Sequence, residues 1–208
     1  GANNVALGVS ALASNTTANN NTAVGYQAGY SNTTGTQNVY IGNTAGYSST
    51  TGSYNFAAGF NALQQGNGSN NAAAGYYALV SNSGSYNTAF GSQSLQANTT
   101  ASNNTAVGYR AGYSNQTGGQ HTAVGAYALY ATDATNYCTA VGYQALYSNT
   151  IGNNEALGFG ALYSNTTGAF NVAIGRQSLY NNTTASSNTA VGYQAGYGIS
   201  TGTLNCAL

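Results

Sequence analysis

One ten-residue phrase, Asn-Thr-Ala-Val-Gly-Tyr-Gln-Ala-Gly-Tyr, occurs twice in identical form, at residues 21–30 and 188–197, and variants of it fill the chain. Its central glycine returns every 16 or 17 residues, at Gly8, Gly25, Gly42, Gly59, Gly75, Gly91, Gly108, Gly125, Gly142, Gly158, Gly175 and Gly192. A fixed period of this size is typical of repeat proteins, in which each unit packs only on its neighbours. Residues 1–208 are therefore predicted to form a single continuous array. Both ends fall at the same repeat phase with no atypical capping unit, so we expect the array either to belong to a longer fibre or to be a subunit that stacks end to end.

The phrase itself predicts a short β-strand. We number each unit from its opening asparagine, so that positions 2 and 4 carry branched or bulky residues and positions 3 and 5 carry alanine and glycine. This alternation has the period of a strand. We expect bulky side chains to fill one face of the strand, and a neighbouring segment to approach the alanine and glycine face closely.

A second short strand is expected at positions 8–10. Where position 9 is glycine, position 10 is always tyrosine, and we expect that ring to fill the space of a missing leucine. Turns rich in Asn, Ser, Thr and Gly complete the unit and are the expected site of the one-residue length variation. A unit of this length is too short for a βαβ crossover, which needs roughly 30 residues. The predicted fold class is all-β, a parallel β-solenoid of about twelve coils.

Position 1 is asparagine in nearly every unit, with His121 and Cys138 as exceptions. Such a column predicts a ladder in which side-chain amides hydrogen-bond from one coil to the next. The structural positions selected on this basis are the asparagines Asn21, Asn38, Asn55, Asn104, Asn171 and Asn188 and the glycines Gly25, Gly108, Gly142 and Gly192.

Charged groups are too few to support most kinds of chemistry. The chain contains only Arg110, Asp133, Glu155 and Arg176, and its formal net charge is zero. Without a basic stripe, binding to nucleic acid is not expected. Polar residues interrupt every repeat, so no membrane span is expected in this segment.

We expect no catalytic site, no metal site and no cofactor. The single histidine, His121, occupies the asparagine column and is interpreted as a substitution within the ladder. Cys138 and Cys206 are four coils apart, roughly 19 Å along the stack, which is too far for an intrachain disulfide.

Several turns carry Asn-x-Ser/Thr sequences, and on an extracellular protein these would be glycan acceptors. The candidate acceptors are Asn15, Asn32, Asn98 and Asn165, together with the adjacent threonine pairs Thr33, Thr34, Thr166 and Thr167.

The segment Asn171-Val172-Ala173-Ile174-Gly175, followed by Ser178, resembles the head repeats of trimeric autotransporter adhesins, known as Hep/Hag repeats. The phrase at residues 139–147 is similar to repeats of long tail-fibre-like proteins. This resemblance implies a left-handed β-roll, often with three chains side by side, located outside the cell and used for attachment. The sequence departs from the head pattern in its longer period and its tyrosine and threonine enrichment.

Three functions are considered. The first is a non-catalytic extracellular fibre or adhesin stalk that self-associates, as a trimer or an end-to-end filament, with glycans or a host surface as further partners. The second is the shaft of a phage-type receptor-binding tail fibre. The third is ice binding, which is weakened because the threonine rank at position 2 is interrupted by Val39, Phe56, Ala72 and Glu155.

Overall fold

The structure, a computed structural model that describes residues 1–133 and 136–208, confirms the predicted fold class. Each coil contributes one short strand, and all strands join a single parallel sheet in chain order. The strands are β1 (Val5–Leu7), β2 (Thr22–Val24), β3 (Val39–Ile41), β4 (Phe56–Ala58), β5 (Ala72–Ala74), β6 (Thr88–Phe90), β7 (Thr105–Val107), β8 (Thr122–Val124), β9 (Cys138–Val141), β10 (Asn154–Leu157), β11 (Val172–Ile174), β12 (Thr189–Val191) and β13 (Cys206–Ala207). These thirteen strands define a β-solenoid of about twelve turns.

The register places each repeat position on the same position of the next coil. Between β7 and β8, for example, Thr105 pairs with Thr122 and Val107 pairs with Val124. Contacts between strands occur only between consecutive coils. The sixteen-to-seventeen-residue period is therefore the length of chain needed for one circuit of the solenoid.

The alanine face of the strand lies inside, and the bulky face points outward. Ala106 at position 3 is fully buried, whereas Val107 at position 4 is 38% exposed. The sequence correctly predicted two unlike faces and a close approach to the alanine face, but it did not identify the bulky face as the outer one. Each coil encloses a narrow interior, where position 3 packs against small residues such as Ala111 of the opposite wall.

The second strand expected in each coil is absent from the described coils, which is a correction. Positions 5–12 instead form consecutive turns with i to i−3 hydrogen bonds, such as Tyr30 N–H to the Gln27 carbonyl at 3.3 Å and Asn32 N–H to the Gly29 carbonyl at 3.0 Å. Gln27 and Gly29 have φ of 50° and 60°. The segment still bonds from coil to coil, since Gly29 N–H donates to the Ala45 carbonyl at 2.9 Å. Ala28 at position 8 and Gly29 at position 9 are both buried, so the segment lacks the alternation of a strand.

The expectation that a position-10 tyrosine fills the space beside a position-9 glycine is also wrong. A methyl group added at Gly112 or Gly196 would lie 2.8 or 2.9 Å from a leucine side chain of the preceding coil, Leu95 or Leu179. In the one coil where position 3 is tyrosine, the buried Tyr40 ring fills this space between Gly29 and Gly46. Burial raises the pKa of Tyr40 to about 12, although a side-chain hydrogen bond with Ser49 opposes the shift.

Length variation falls in the turn before position 15, as predicted. In a 17-residue coil, the Asn98 amide reaches the Ala101 carbonyl three residues later, at 3.1 Å. In a 16-residue coil, Asn82 makes the equivalent bond to Gly84 two residues later, at 2.8 Å. The shorter coil therefore has one residue fewer in this turn, and the positions that pair between neighbouring coils are unchanged.

The glycine at position 5 is required by both conformation and space. Gly108 has a φ of 137°, and an added methyl group would lie 2.7 Å from the Gly125 carbonyl of the next coil. We predict that Gly108→Ala lowers the free energy of unfolding by about 1–3 kcal/mol, measured by denaturant unfolding.

The matched control is Gly198→Ala, because Gly198 is exposed, has no positive φ, and has no atom within 4 Å of the added methyl group. This variant should change the free energy of unfolding by less than about 0.5 kcal/mol. Equal effects of the two substitutions would contradict a specific role for the position-5 glycine.

Candidate functional surfaces

The position-1 asparagines form a column inside the solenoid, and most of them make two kinds of bond. The backbone N–H of Asn38 donates to Asn21 Oδ1 of the preceding coil at 2.9 Å. The side-chain Nδ2 of Asn38 donates to the Gly52 carbonyl near the end of its own coil, at 2.8 Å. One amide therefore ties a coil to its neighbour and also closes the coil on itself.

The other selected asparagines occupy the same arrangement. Asn21, Asn55, Asn104, Asn171 and Asn188 each make a backbone bond of 2.8–3.0 Å to the preceding coil. Their Nδ2 atoms donate, at 2.8–3.0 Å, to a carbonyl near the end of the same coil, which is position 15 except for Asn55, whose 16-residue coil places it at position 14. The glycines Gly25, Gly108, Gly142 and Gly192 stand at position 5 with φ between 132° and 138°. The selected residues thus lie in two structural columns.

His121 and Cys138 continue the asparagine column with different atoms. The His121 backbone N–H donates to Asn104 Oδ1 at 2.9 Å, and His121 Nδ1 accepts the Cys138 N–H at 3.2 Å. Cys138 is buried and Cys206 is exposed, and both are free thiols. Burial raises the pKa of the Cys138 thiol to about 11.

A second asparagine column, at position 12, was interpreted from sequence as a row of glycan acceptors. Asn32, Asn98 and Asn165 are instead fully buried, and their Nδ2 atoms donate to position-15 carbonyls at 2.9–3.1 Å. Asn15, in the first coil, is half-buried and makes the same bond at 3.3 Å. The three buried amides leave no room for a sugar, which corrects the expectation of accessible acceptors at these positions.

The threonine pairs divide into one bonded and one exposed residue. The hydroxyls of Thr33 and Thr166 donate to carbonyls of the next coil, Thr50 at 3.1 Å and Thr183 at 3.0 Å. Thr34 and Thr167 are exposed. The accessible hydroxyls of these turns therefore belong to the second threonine of each pair.

Position 10 forms a column of stacked tyrosine rings along the second half of the chain. Neighbouring ring centroids are 5.0–5.4 Å apart, and the ring planes differ by 4–11°. The stacked residues are Tyr113, Tyr130, Tyr147, Tyr163, Tyr180 and Tyr197. Such offset or parallel ring pairs contribute about 0.5–1.5 kcal/mol each beyond the area that they bury.

The outward face of the sheet carries an apolar row at position 4, beside a row at position 2 that is largely threonine and includes the exposed Glu155. Position 4 exposes Ile41 at 43%, Leu157 at 49% and Ile174 at 40%. The neighbouring position 6 adds exposed rings, including Tyr76 and Phe159. Exposed apolar residues that are grouped in this way form a candidate interaction surface.

Both arginines lie over aromatic rings. The Arg110 guanidinium carbon is 5.1 Å from the Tyr109 ring centroid and 5.2 Å from that of Tyr113. The Arg176 guanidinium carbon is 5.4 Å from the Phe159 centroid. These cation–π contacts hold both arginine guanidinium groups against exposed aromatic side chains.

Residues 1–133 and 136–208 contain no cluster of three His, Cys, Asp or Glu side chains that could hold a metal ion. In the same part of the chain there is no cavity that would enclose a small ligand. Within those residues no helix is long and apolar enough to cross a membrane.

No family profile, curated protein or solved structure matches this chain. The resemblance to adhesin head repeats, and the left-handed sense it implies, therefore remain predictions from the quoted phrases.

We predict that Asn104→Ala destabilises the stack, because it leaves the buried His121 N–H without its acceptor. It also removes one of the two amide donors to the Gly118 carbonyl, which keeps its bond from Asn115 Nδ2. Leaving the buried N–H unsatisfied costs about 1–3 kcal/mol. Denaturant unfolding and hydrogen exchange at the His121 amide measure the effect. Asn43→Ala, at an exposed position, is the control and should leave both unchanged.

The two thiols should react very differently with a maleimide at mildly alkaline pH. Cys206 is exposed and should be labelled rapidly, whereas Cys138 is 1% exposed and its raised pKa keeps it protonated. Cys138 should become reactive only after addition of denaturant. Rapid labelling of both thiols in the folded chain, detected by mass spectrometry, would contradict this placement of Cys138.

Proposed function

We propose that this chain is a rigid segment of an extracellular structural fibre whose role is mechanical and not catalytic. The observation that carries the proposal is the coil-to-coil bonding on all sides of the solenoid: the strands, the turns, the asparagine column and the tyrosine stack. Because each coil is held at several points around its circuit, bending requires several columns to be disrupted together. The extracellular location is supported by the resemblance to adhesin head repeats.

Side-by-side association of such rods is the second part of the proposal. The outward apolar face, formed by positions 4 and 6, has no covering segment within the described chain. Burying apolar surface yields about 25 cal/mol per Å², and the regular repetition of this face lets the contribution grow with rod length. A second copy of the chain presents the same flat face, so self-association covers it most simply.

Among the selected acceptors, the exposed threonines are the most accessible sites for glycosylation of such a fibre. Thr34 and Thr167 are open to modification, whereas the amides of Asn32 and Asn165 lie inside the coil. Sugar on the outer turns would also help to keep a fibre without net charge dispersed, a task that surface charge performs in most proteins.

We expect electron micrographs of the purified chain to show straight rods, and oriented samples to give a meridional reflection at about 4.8 Å. The double variant Ile174→Thr/Val191→Thr should keep this reflection but reduce side-by-side association, measured by analytical ultracentrifugation, because it replaces two outward apolar residues with polar β-branched ones.

The paired substitution Thr34→Ser/Thr167→Ser, on the exposed turns, is the control and should leave the sedimentation coefficient unchanged. Compact particles without the reflection would contradict the rod. An unchanged association state of the Ile174 and Val191 variant would contradict the proposed interface.

A further inference from the structure

The last residue of each coil adopts a left-handed backbone conformation without being glycine. It stands at position 17 in the longer coils and at position 16 in the shorter ones, and it is called position 17 in both. Its φ lies between 57° and 62° at Asn3, Asn20, Gln37, Tyr54, Asn70, Tyr86, Asn103, Gln120, Tyr137, Asn153, Phe170, Ser187 and Leu204. Asparagine is the residue that tolerates this conformation best, because its short polar side chain can bond locally. Amide residues accordingly occupy most of the row.

Four aromatic residues interrupt this row against the local backbone preference. The side chains of Tyr54, Tyr86, Tyr137 and Phe170 are 58%, 62%, 55% and 64% exposed. Bulky residues are disfavoured at positive φ, and these rings contribute little to the core. Neither the conformation nor the packing of the coil accounts for their presence, which indicates contact with something outside the chain.

The aromatic residues have a regular spacing. Tyr54 and Tyr86 are two coils apart with Asn70 in the coil between them, and Tyr137 and Phe170 are two coils apart with Asn153 between them. Two coils correspond to about 9.6 Å along the stack. Each set therefore places a ring, an amide and a second ring in a line parallel to the axis.

We propose that each ring–amide–ring set binds an extended, uncharged β-1,4-linked polysaccharide laid along the solenoid. Such a chain is a flat ribbon that repeats every two sugars, and this repeat is close to the two-coil spacing of the rings. The C–H faces of alternate sugars pack on the two rings, which present electron-rich faces. The amide between them bonds the hydroxyls of the intervening sugar, since it offers both a donor and an acceptor.

The absence of charge and the open, linear arrangement of these residues favour an uncharged polysaccharide over a protein or an acidic polysaccharide. The residues of both sets are uncharged, so they provide no counter-ion for an acidic polysaccharide. The site is an open line rather than an enclosed cavity, which suits a long chain that is bound along its length. Position 17 is also distinct from positions 4 and 6, so binding here leaves the proposed self-association face free.

The test is depletion of the purified chain from solution by insoluble cellulose, with granular starch as the α-linked, coiled comparison. We expect retention by cellulose and not by starch. The variant Tyr86→Asn/Phe170→Asn removes one ring from each set and should bind cellulose roughly tenfold more weakly, a change that corresponds to about 1.4 kcal/mol.

This variant should unfold at the same or a higher denaturant concentration, because asparagine suits the left-handed conformation better than an aromatic residue. Loss of binding would then not reflect loss of the fold. The control is Tyr26→Asn, which makes the same chemical change at an exposed position-6 tyrosine, where the next coil already carries Asn43.

Failure of the native chain to bind cellulose, equal binding to starch, or an equal loss with Tyr26→Asn would each overturn the proposal. Binding to cellulose does not require the chain to form filaments. A negative result would therefore overturn the polysaccharide site without overturning the proposed fibre.

Discussion

The side-chain amide at position 1 is the interaction on which the rest of the structure depends. A chain that turns inward at the end of every coil buries a backbone N–H and a carbonyl that no strand partner satisfies. In the coil that begins at Asn38, Asn21 Oδ1 accepts the N–H, while Asn38 Nδ2 donates to the Gly52 carbonyl. Asparagine is the shortest side chain that carries its donor and its acceptor on separate atoms, which explains its dominance of the column. His121 accepts the backbone N–H of Cys138 with its ring nitrogen Nδ1 and so provides the equivalent acceptor.

The interior has too little apolar volume to hold the coils together by itself. Its most frequent members are alanines such as Ala23 and Ala106, each burying one methyl group, with leucines such as Leu129 at intervals. Stability must therefore come largely from hydrogen bonds, at about 0.5–1.5 kcal/mol each, repeated around every circuit. This also explains why the bulky residues can face outward: they are not required for the fold and are available for contacts with other molecules.

The period, the register and the location of the length variation could all be predicted from the sequence because they depend only on which residues recur. The direction of the faces could not, because the alternation of Val107 with Ala106 is the same whichever side is enclosed. The second strand was predicted wrongly for a similar reason: residues such as Gln27 and Leu129, with φ of 50° and 52°, carry no sequence sign of left-handed backbone.

The position-12 asparagines show that a glycan acceptor sequence does not by itself place its asparagine on the surface. Asn98 matches a glycan acceptor sequence, yet it is the bond to Ala101 three residues later that fixes its place inside the coil. The one available signal was the recurrence of asparagine at position 12 in most coils, as at Asn32, Asn98 and Asn165.

Because each strand contacts only its immediate neighbours, no contact between strands depends on the total number of coils. The length of the rod is set by the gene and not by the fold. Recombination between the identical phrases at residues 21–30 and 188–197 would delete or duplicate whole turns while preserving every column in phase. Rods of different reach, with the same cross-section and the same surfaces, are thus accessible to this sequence by a single genetic event.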